Sequence, residues 1–367
     1  MAEAMIRLEA VTKTYQGAVN PAVDSLSLEI PRGEVVVLVG PSGCGKTTIL
    51  KMINRLIEPT SGVIELDGRD VTSVEPHVLR RGIGYVIQQI GLFPHRTIAD
   101  NIAAVPGLLG WDKGRIEQRV DELVELVGLD PEMAQRYPAS LSGGQQQRAG
   151  VARALAADPP VLLMDEPFGA VDPIVRSRLQ EELLRLQDRL AKTIVFVTHD
   201  IDEAIKVGDR VAILNIGGML EQYAPPDELL REPANEFVAG FLGEDRGLKR
   251  LSLIPLTSVN LVRGPMVNVT GTVEEASSVM RQEGTEWVGV LEGDRLLGWL
   301  WNTDLDGKST VADCVPRRFR ATIQAAASMR EALDAVVNTR NQAAVVLEGD
   351  RYLGMVFLDQ ISEGLLS

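Results

Sequence analysis

Apolar residues fall in short unbroken runs in the first two-thirds of the chain. Val35–Val39 reads VVVLV, Val161–Met164 reads VLLM and Thr193–Thr198 reads TIVFVT. Runs of this length without polar alternation predict strands buried on both faces, as a parallel sheet covered by helices requires. Apolar-periodic stretches beginning at Ile49 and Ala149 predict helices, so the pattern is α/β. After Gly243 the pattern changes: 244–250 is charged and predicts a linker, and 251–367 carries an internal repeat. Val290–Arg295 (VLEGDR) recurs at Val346–Arg351, Glu275-Ala276 at Glu331-Ala332 and Gly298 at Gly354, all at a spacing of 56 residues. Each copy predicts a helix rich in Ala, Val and Met, a short strand, a Gly-Asp hairpin turn and a second strand. The expected organisation is an α/β domain over 1–243, a linker over 244–250 and an α+β module over 251–367 with repeats at about 251–309 and 310–367.

Composition adjusts this picture in three ways. With 45% apolar residues but only 4% aromatics, packing rests on Val, Leu, Ile and Ala. A formal charge of −14 argues against a general nucleic-acid-binding surface, so no nucleic-acid partner is expected. No apolar stretch reaches membrane-span length, and the start MAEAMIRLEA lacks the zones of a signal peptide, which predicts a cytosolic chain. Cys44 and Cys314, far apart, are expected reduced.

The strand Val35–Val39 runs into Gly40, Pro41, Ser42, Gly43, Cys44, Gly45, Lys46, Thr47 and Thr48, then the helical pattern. The spacing G-x-x-x-x-G-K-[ST] lets successive backbone N–H groups face one concavity at a helix N-terminus, a phosphate cradle. Lys46 would reach the β and γ phosphates and Thr47 would ligate Mg²⁺. Gly307-Lys308-Ser309 mimics the end of this motif, but Asn302 stands where its first glycine belongs. Cys44 fills a free position of the loop. The run Val161–Met164 delivers Asp165 and Glu166; alternation points them apart, so Asp165 can face Mg²⁺ while Glu166 orients and activates water. Between them, Leu141, Ser142, Gly143, Gly144 and Gln145 open a helix, a second N-terminus suited to an anion.

LSGGQ, the phosphate loop and LLMDEP together resemble the ABC ATPase class, over 1–243. The fold implied is a P-loop ABC ATPase domain with a helical subdomain; the cofactors implied are ATP and Mg²⁺. Tyr15 resembles the aromatic on which adenine stacks, Gln88 the glutamine that touches Mg²⁺ and water, and His199 the switch histidine at the γ phosphate. Gly169–Asp172 stands where the dimer-contacting loop lies, with Val171-Asp172 for the commoner Leu-Asp. The resemblance makes Ser142, Gly143, Gly144 and Gln145 act in trans on ATP held by the other subunit, and implies a homodimer. His77 reads as a loop residue, and His95, with Leu92-Phe93, as part of a segment facing membrane permease subunits.

The repeat resembles a CBS pair. That resemblance implies an adenine nucleotide or cyclic dinucleotide in a cleft, held through Asp304, where the second repeat has Gln360; a structural pair that helps the ATPase dimerise is the alternative. Arg317, Arg318 and Arg320 form a basic cluster suited to an acidic ligand or lipid surface, or to solvent. ABC ATPase plus CBS pair resembles the energising subunit of osmoprotectant importers, on the cytoplasmic face of the cell membrane. Such a subunit is served indirectly by an extracytoplasmic substrate-binding protein. An importer of another solute, such as an amino acid, is the nearest alternative. A soluble ABC protein would be expected to carry paired ATPase units, a coiled-coil insertion or zinc-binding cysteines; a guanine-reading GTPase would need an Asn-Lys dipeptide the chain lacks.

Overall fold

A computed structural model describes residues 3–87, 91–169, 172–339 and 342–366. Its contacts divide the chain into two units, Met1–Glu244 and Asp245–Ser367.

The first unit holds two sheets. In one, Ala4–Lys13 pairs antiparallel with Val23–Pro31 and with Ser61–Leu66, and Arg69–Asp70 closes the edge. The other is six-stranded, in the order Met219–Ala224, Arg210–Asn215, Val35–Val39, Thr193–Val197, Val161–Asp165 and Ile83–Val86. All its pairings are parallel except the first. The three unbroken apolar runs occupy its middle, and every residue of Val35–Val39, Val161–Asp165 and Thr193–Val197 is buried. A central parallel strand buried on both faces tolerates no polar alternation, which is why the sequence shows none. Helices at Ile98–Ile102, Lys113–Leu126 and Gly143–Leu155 form a helical portion between the strands Ile83–Val86 and Val161–Asp165. Among the described residues no helix is long and apolar enough to cross a membrane.

The second unit is built on one six-stranded sheet, in the order Met266–Asn268, Trp287–Glu292, Arg295–Trp301, Arg351–Phe357, Ala343–Glu348 and Thr322–Gln324. The halves meet where Arg295 pairs with Arg351, counterparts at the 56-residue spacing. Their cores repeat too. Ala276, Met280, Val288, Val290, Leu300 and Leu305 in one cluster answer Ala332, Val336, Ala344, Val346, Val356 and Ile361 in the other.

Two expectations are corrected here. The stretch 244–250, read as linker, is mostly helical, within Arg246–Leu251: Asp245 pairs with Lys249 at 2.9 Å, and Leu251 at the helix end is fully buried. The leading arm of each repeat also crosses to the other. Leu251 and Leu256 enter the core of the second repeat, while Val311 and Cys314 enter that of the first. Gly298 permits one of these crossings, since a Cβ there would lie 2.4 Å from the Arg317 carbonyl oxygen, where the arm bridges Trp299.

Candidate nucleotide site

The strand Val35–Val39 delivers the phosphate loop to the helix Lys46–Ile53. Gly45, left-handed at φ 104°, is the N-cap, and no side chain caps the first turn, so its backbone donors are not taken by a cap. Gly40 cannot be replaced in place: a Cβ would stand 2.1 Å from the Leu214 carbonyl oxygen. Lys46 is 6% exposed and folds back, its Nζ donating to the carbonyls of Gly40 at 2.7 Å and Pro41 at 3.1 Å. Cys44 is buried behind it, 3.6 Å from Nζ, which accounts for a small apolar side chain at this free position.

Thr47 Oγ1 donates to Asp165 Oδ1 at 3.0 Å, joining phosphate loop and second carboxylate strand. Burial pushes the Asp165 carboxyl above its ordinary range, against the pull of the Thr47 hydrogen bond and of Lys51 and Lys46. A hydroxyl and a desolvated carboxylate side by side fit one face of a hard divalent cation whose other ligands are phosphate and water.

Glu166 leaves the strand end with φ 44°, and its N–H donates to the Val197 carbonyl at 2.9 Å. Its carboxylate lies 3.3 Å from His199 Nδ1, so two of the sequence-selected residues meet directly. Tyr15 is 43% exposed, with its hydroxyl 3.3 Å from Thr48 Oγ1 and the Lys13 ammonium 5.5 Å from its ring centroid. An open ring beside the phosphate loop is what a stacked base requires.

Ser142 caps the helix Gly143–Leu155 in a reciprocal box with Gln145, and both Ser142 and Gly143 are exposed. No hydrogen bond or ion pair among the described residues joins 142–145 to the phosphate loop of the same chain. Asp172 caps the helix Pro173–Leu190 by accepting from Ile174 and Val175 N–H, both at 3.1 Å. The two helices pack closely, since a Cβ on Gly144 would lie 3.0 Å from Val175 Cγ1. Gln88 lies outside the described residues, as do Ala170 and Val171.

Sequence reasoning missed a partly buried network next to His199. Gln180 Nε2 donates to Glu203 Oε1 at 3.0 Å, Asp200 N–H donates to Thr198 Oγ1 at 3.0 Å, and Arg176 pairs with Asp200 at 3.4 Å. The network ties the helix that Asp172 caps to the loop that carries His199. The only signal was two polar residues on the inner face of their helices. Glu203 is 6% exposed, and burial pushes its carboxyl up from the ordinary value of 4.5, opposed by hydrogen bonds from Thr198 and Gln180. The folded state therefore holds this proton more tightly than the unfolded chain, so the stability it contributes is full below 4.5 and lost as pH rises through the elevated folded value. Glu203→Gln is expected to flatten the pH dependence of the urea midpoint and to match or exceed wild type at neutral pH. Parallel pH profiles for the two proteins would show that the carboxyl is not the source.

In the second unit both carboxylate oxygens of Asp304 accept a hydrogen bond. Oδ2 accepts from Trp301 N–H at 2.9 Å and Oδ1 from Arg317 at 2.7 Å, and these contacts, the backbone bond first, hold its carboxyl below the ordinary range. Gln360 makes the same bond, accepting from Phe357 N–H at 2.9 Å. Acid and amide are thus equivalent turn caps. Asp304 is not among the residues that line the cleft of this unit.

A parallel sheet that presents a phosphate loop, a Thr47–Asp165 pair and a Glu166–His199 pair defines an ABC-type ATPase. Residues 23–169 match the ABC transporter family. The chain is 46% identical over 370 residues to the osmoprotectant import ATP-binding protein OsmV of Salmonella typhimurium, covering 99% of this chain and 97% of the relative. It is also 46% identical to the glycine betaine/carnitine/choline transport ATP-binding protein OpuCA of Bacillus subtilis, over 95% of this chain and 93% of that one. Among solved structures, the dimeric post-hydrolysis ATP-binding cassette MJ0796 bound to ADP and phosphate superposes with a TM-score of 0.55 at 35% identity, covering 60% of this chain and 98% of that one. The chain belongs to the ABC transporters, and within them to the import ATP-binding proteins that these two full-length relatives represent.

Proposed function

We propose that this chain is the ATP-hydrolysing subunit that energises uptake of a small quaternary-amine osmoprotectant such as glycine betaine, choline or carnitine. The observation that carries the reading is similarity along almost the whole chain, second unit included, to import ATP-binding proteins named for those solutes. An amino-acid importer would share the ATPase core, which makes the solute the point to test.

In this reading Lys46 and the loop N–H groups hold the β and γ phosphates, and Tyr15 stacks on adenine. Thr47 and Asp165, with Gln88, hold Mg²⁺, which when bound neutralises phosphate charge. Glu166 accepts the proton of the attacking water, and His199, 3.3 Å from Glu166, contacts the γ phosphate. The Ser142–Gln145 turn, exposed at Ser142 and Gly143, has no hydrogen-bond partner on its own phosphate loop among the described residues, which supports its closing on ATP held by a second copy, with Asp172 at the seam.

A groove of about 560 Å³ beside Phe93 supports docking to membrane permease subunits at the cytoplasmic face. Phe93 is 42% exposed, yet its backbone is fixed by the buried Asn101, whose amide oxygen accepts from Phe93 N–H at 2.7 Å and whose amide nitrogen lies within reach of the carbonyls of Phe93, Arg96 and Thr97, the last at 2.9 Å. A rigidly presented aromatic at a groove suits a partner helix. A substrate-binding protein outside the membrane then selects the solute. The second unit is a tandem CBS pair in this reading, supported by its repeated core and crossed arms.

The test is ATP-dependent uptake by this chain reconstituted with its permease subunits and binding protein, across labelled glycine betaine, choline, carnitine, proline betaine and several amino acids. Quaternary amines are expected to be taken up at least about tenfold faster than any amino acid. Preference for an amino acid would overturn the solute assignment and leave the ATPase in place.

A further inference from the structure

Three of the chain's four tryptophans meet in one place. Trp287, Trp299 and Trp301, together with Phe319, line a cleft of about 340 Å³ in the second unit, between strands of the first repeat and elements of the second. Trp287 and Phe319 pack in part against the apolar core of this unit, but none of the four rings is fully buried, so each keeps surface on the cleft. Trp299 and Trp301 stand at 80° with centroids 5.2 Å apart, and Trp287 and Phe319 at 81° with centroids 6.2 Å apart. Trp299 and Phe319, at 6.5 Å, join the two corners. The cleft is therefore walled by π surface in more than one plane. Trp299 already attracts a cation, the Arg317 guanidinium, which lies 5.5 Å from its ring centroid.

Arg318 and Arg320 also line the cleft and are exposed, and no ion pair among the described residues holds either. Among the described residues no carboxylate lines it. Aromatic walls and two available guanidiniums thus supply one surface for a cation and another for an anion, side by side. A quaternary ammonium has no hydrogen to donate, so it is recognised by ring faces and needs no carboxylate, while a carboxylate pairs with guanidinium. A nucleotide would use the rings and the arginines, but its ribose would also seek an acidic acceptor, and Asp304, bonded to Trp301 N–H and Arg317, does not line the cleft.

We propose that this cleft binds a quaternary ammonium carboxylate of the glycine betaine type. The proposal rests on the transport reading only for the source of the ligand, the solute accumulated inside; the recognition chemistry stands without it.

The test is calorimetric titration of purified full-length protein with glycine betaine, tetramethylammonium chloride, AMP and sodium chloride, with tryptophan fluorescence as a second signal. Saturable glycine betaine binding is expected, weakened about tenfold or more by Trp301→Leu. Replacing both Arg318 and Arg320 by Gln is expected to weaken glycine betaine while leaving tetramethylammonium unchanged, and because both side chains are exposed this variant decides the matter if Trp301→Leu does not fold. Absence of saturable binding by the quaternary ammonium compounds, a response to AMP alone, a response matched by sodium chloride, or binding that survives all these changes overturns the proposal. Because the titration needs no transport, uptake of betaine without cleft binding overturns this site alone, and cleft binding without betaine uptake overturns the transport reading alone.

Discussion

Glu166→Gln is expected to lower the ATPase rate of the purified protein by about 10²-fold or more while leaving ATP affinity within about a factor of two. The substitution separates two roles that the geometry allows. Glu166 touches His199 at 3.3 Å, so it could act only by orienting the imidazole, or it could accept a proton from water. An amide keeps the size of the side chain and can still hydrogen-bond to Nδ1, so a purely positioning role would survive. It cannot take up a proton, so a general base would not. The backbone is not expected to move, because φ 44° at this residue is fixed by the N–H bond to Val197 and the substitution leaves that bond alone. Steady-state phosphate release and equilibrium binding of a fluorescent ATP analogue give the two numbers. Turnover near the wild-type rate would assign Glu166 to orientation.

Much of this site was legible in the sequence because its parts are local. A glycine loop between a buried strand and a helix is written in consecutive residues, and so is a carboxylate pair at a strand end, since backbone geometry within a few residues decides both. The tandem repeat was legible for a related reason: one supersecondary unit, used twice, must place the same apolar positions twice. What the sequence hid is long-range. Nothing in the local pattern around Leu251 or Val311 says that each arm packs on the other repeat, because burial there is set by a partner far along the chain.

The same limit explains the aromatic cleft. Trp287, Trp299, Trp301 and Phe319 sit on three separate segments, and only the sheet brings them together. The linker expected over 244–250 proved mostly helical for a different reason. A run so rich in charge reads as solvated linker, yet Lys249 lies 7% exposed, its ammonium paired with Asp245. Asp304 shows how residue type can mislead: an acid in one repeat and an amide in the other suggested one competent ligand site, whereas both accept the same kind of backbone N–H.

Lys46→Ala should remove nucleotide binding itself, with a loss of about 10- to 100-fold in ATP affinity. That figure follows from roughly 1.5–3 kcal/mol for a hydrogen bond to a charged group. The ammonium donates to two carbonyls of its own loop, Gly40 at 2.7 Å and Pro41 at 3.1 Å. Those are neutral acceptors on a nearly buried cation, so a phosphate oxyanion arriving at the loop offers a stronger partner in a low-dielectric place. Alanine deletes that exchange and also leaves two inward carbonyls without a donor, so the unliganded variant should itself melt a few degrees below wild type. ATP then separates the two effects. Wild type and Glu166→Gln should both gain thermal stability with rising ATP as mass action requires, whereas Lys46→Ala should gain little at the same concentrations. Lys46→Met, which keeps the stem without the charge, should recover part of the unliganded melting temperature and none of the ATP response. If Lys46→Met instead responds to ATP like wild type, the lysine serves packing of the loop, and the backbone N–H groups of the helix Lys46–Ile53 carry the phosphates without it.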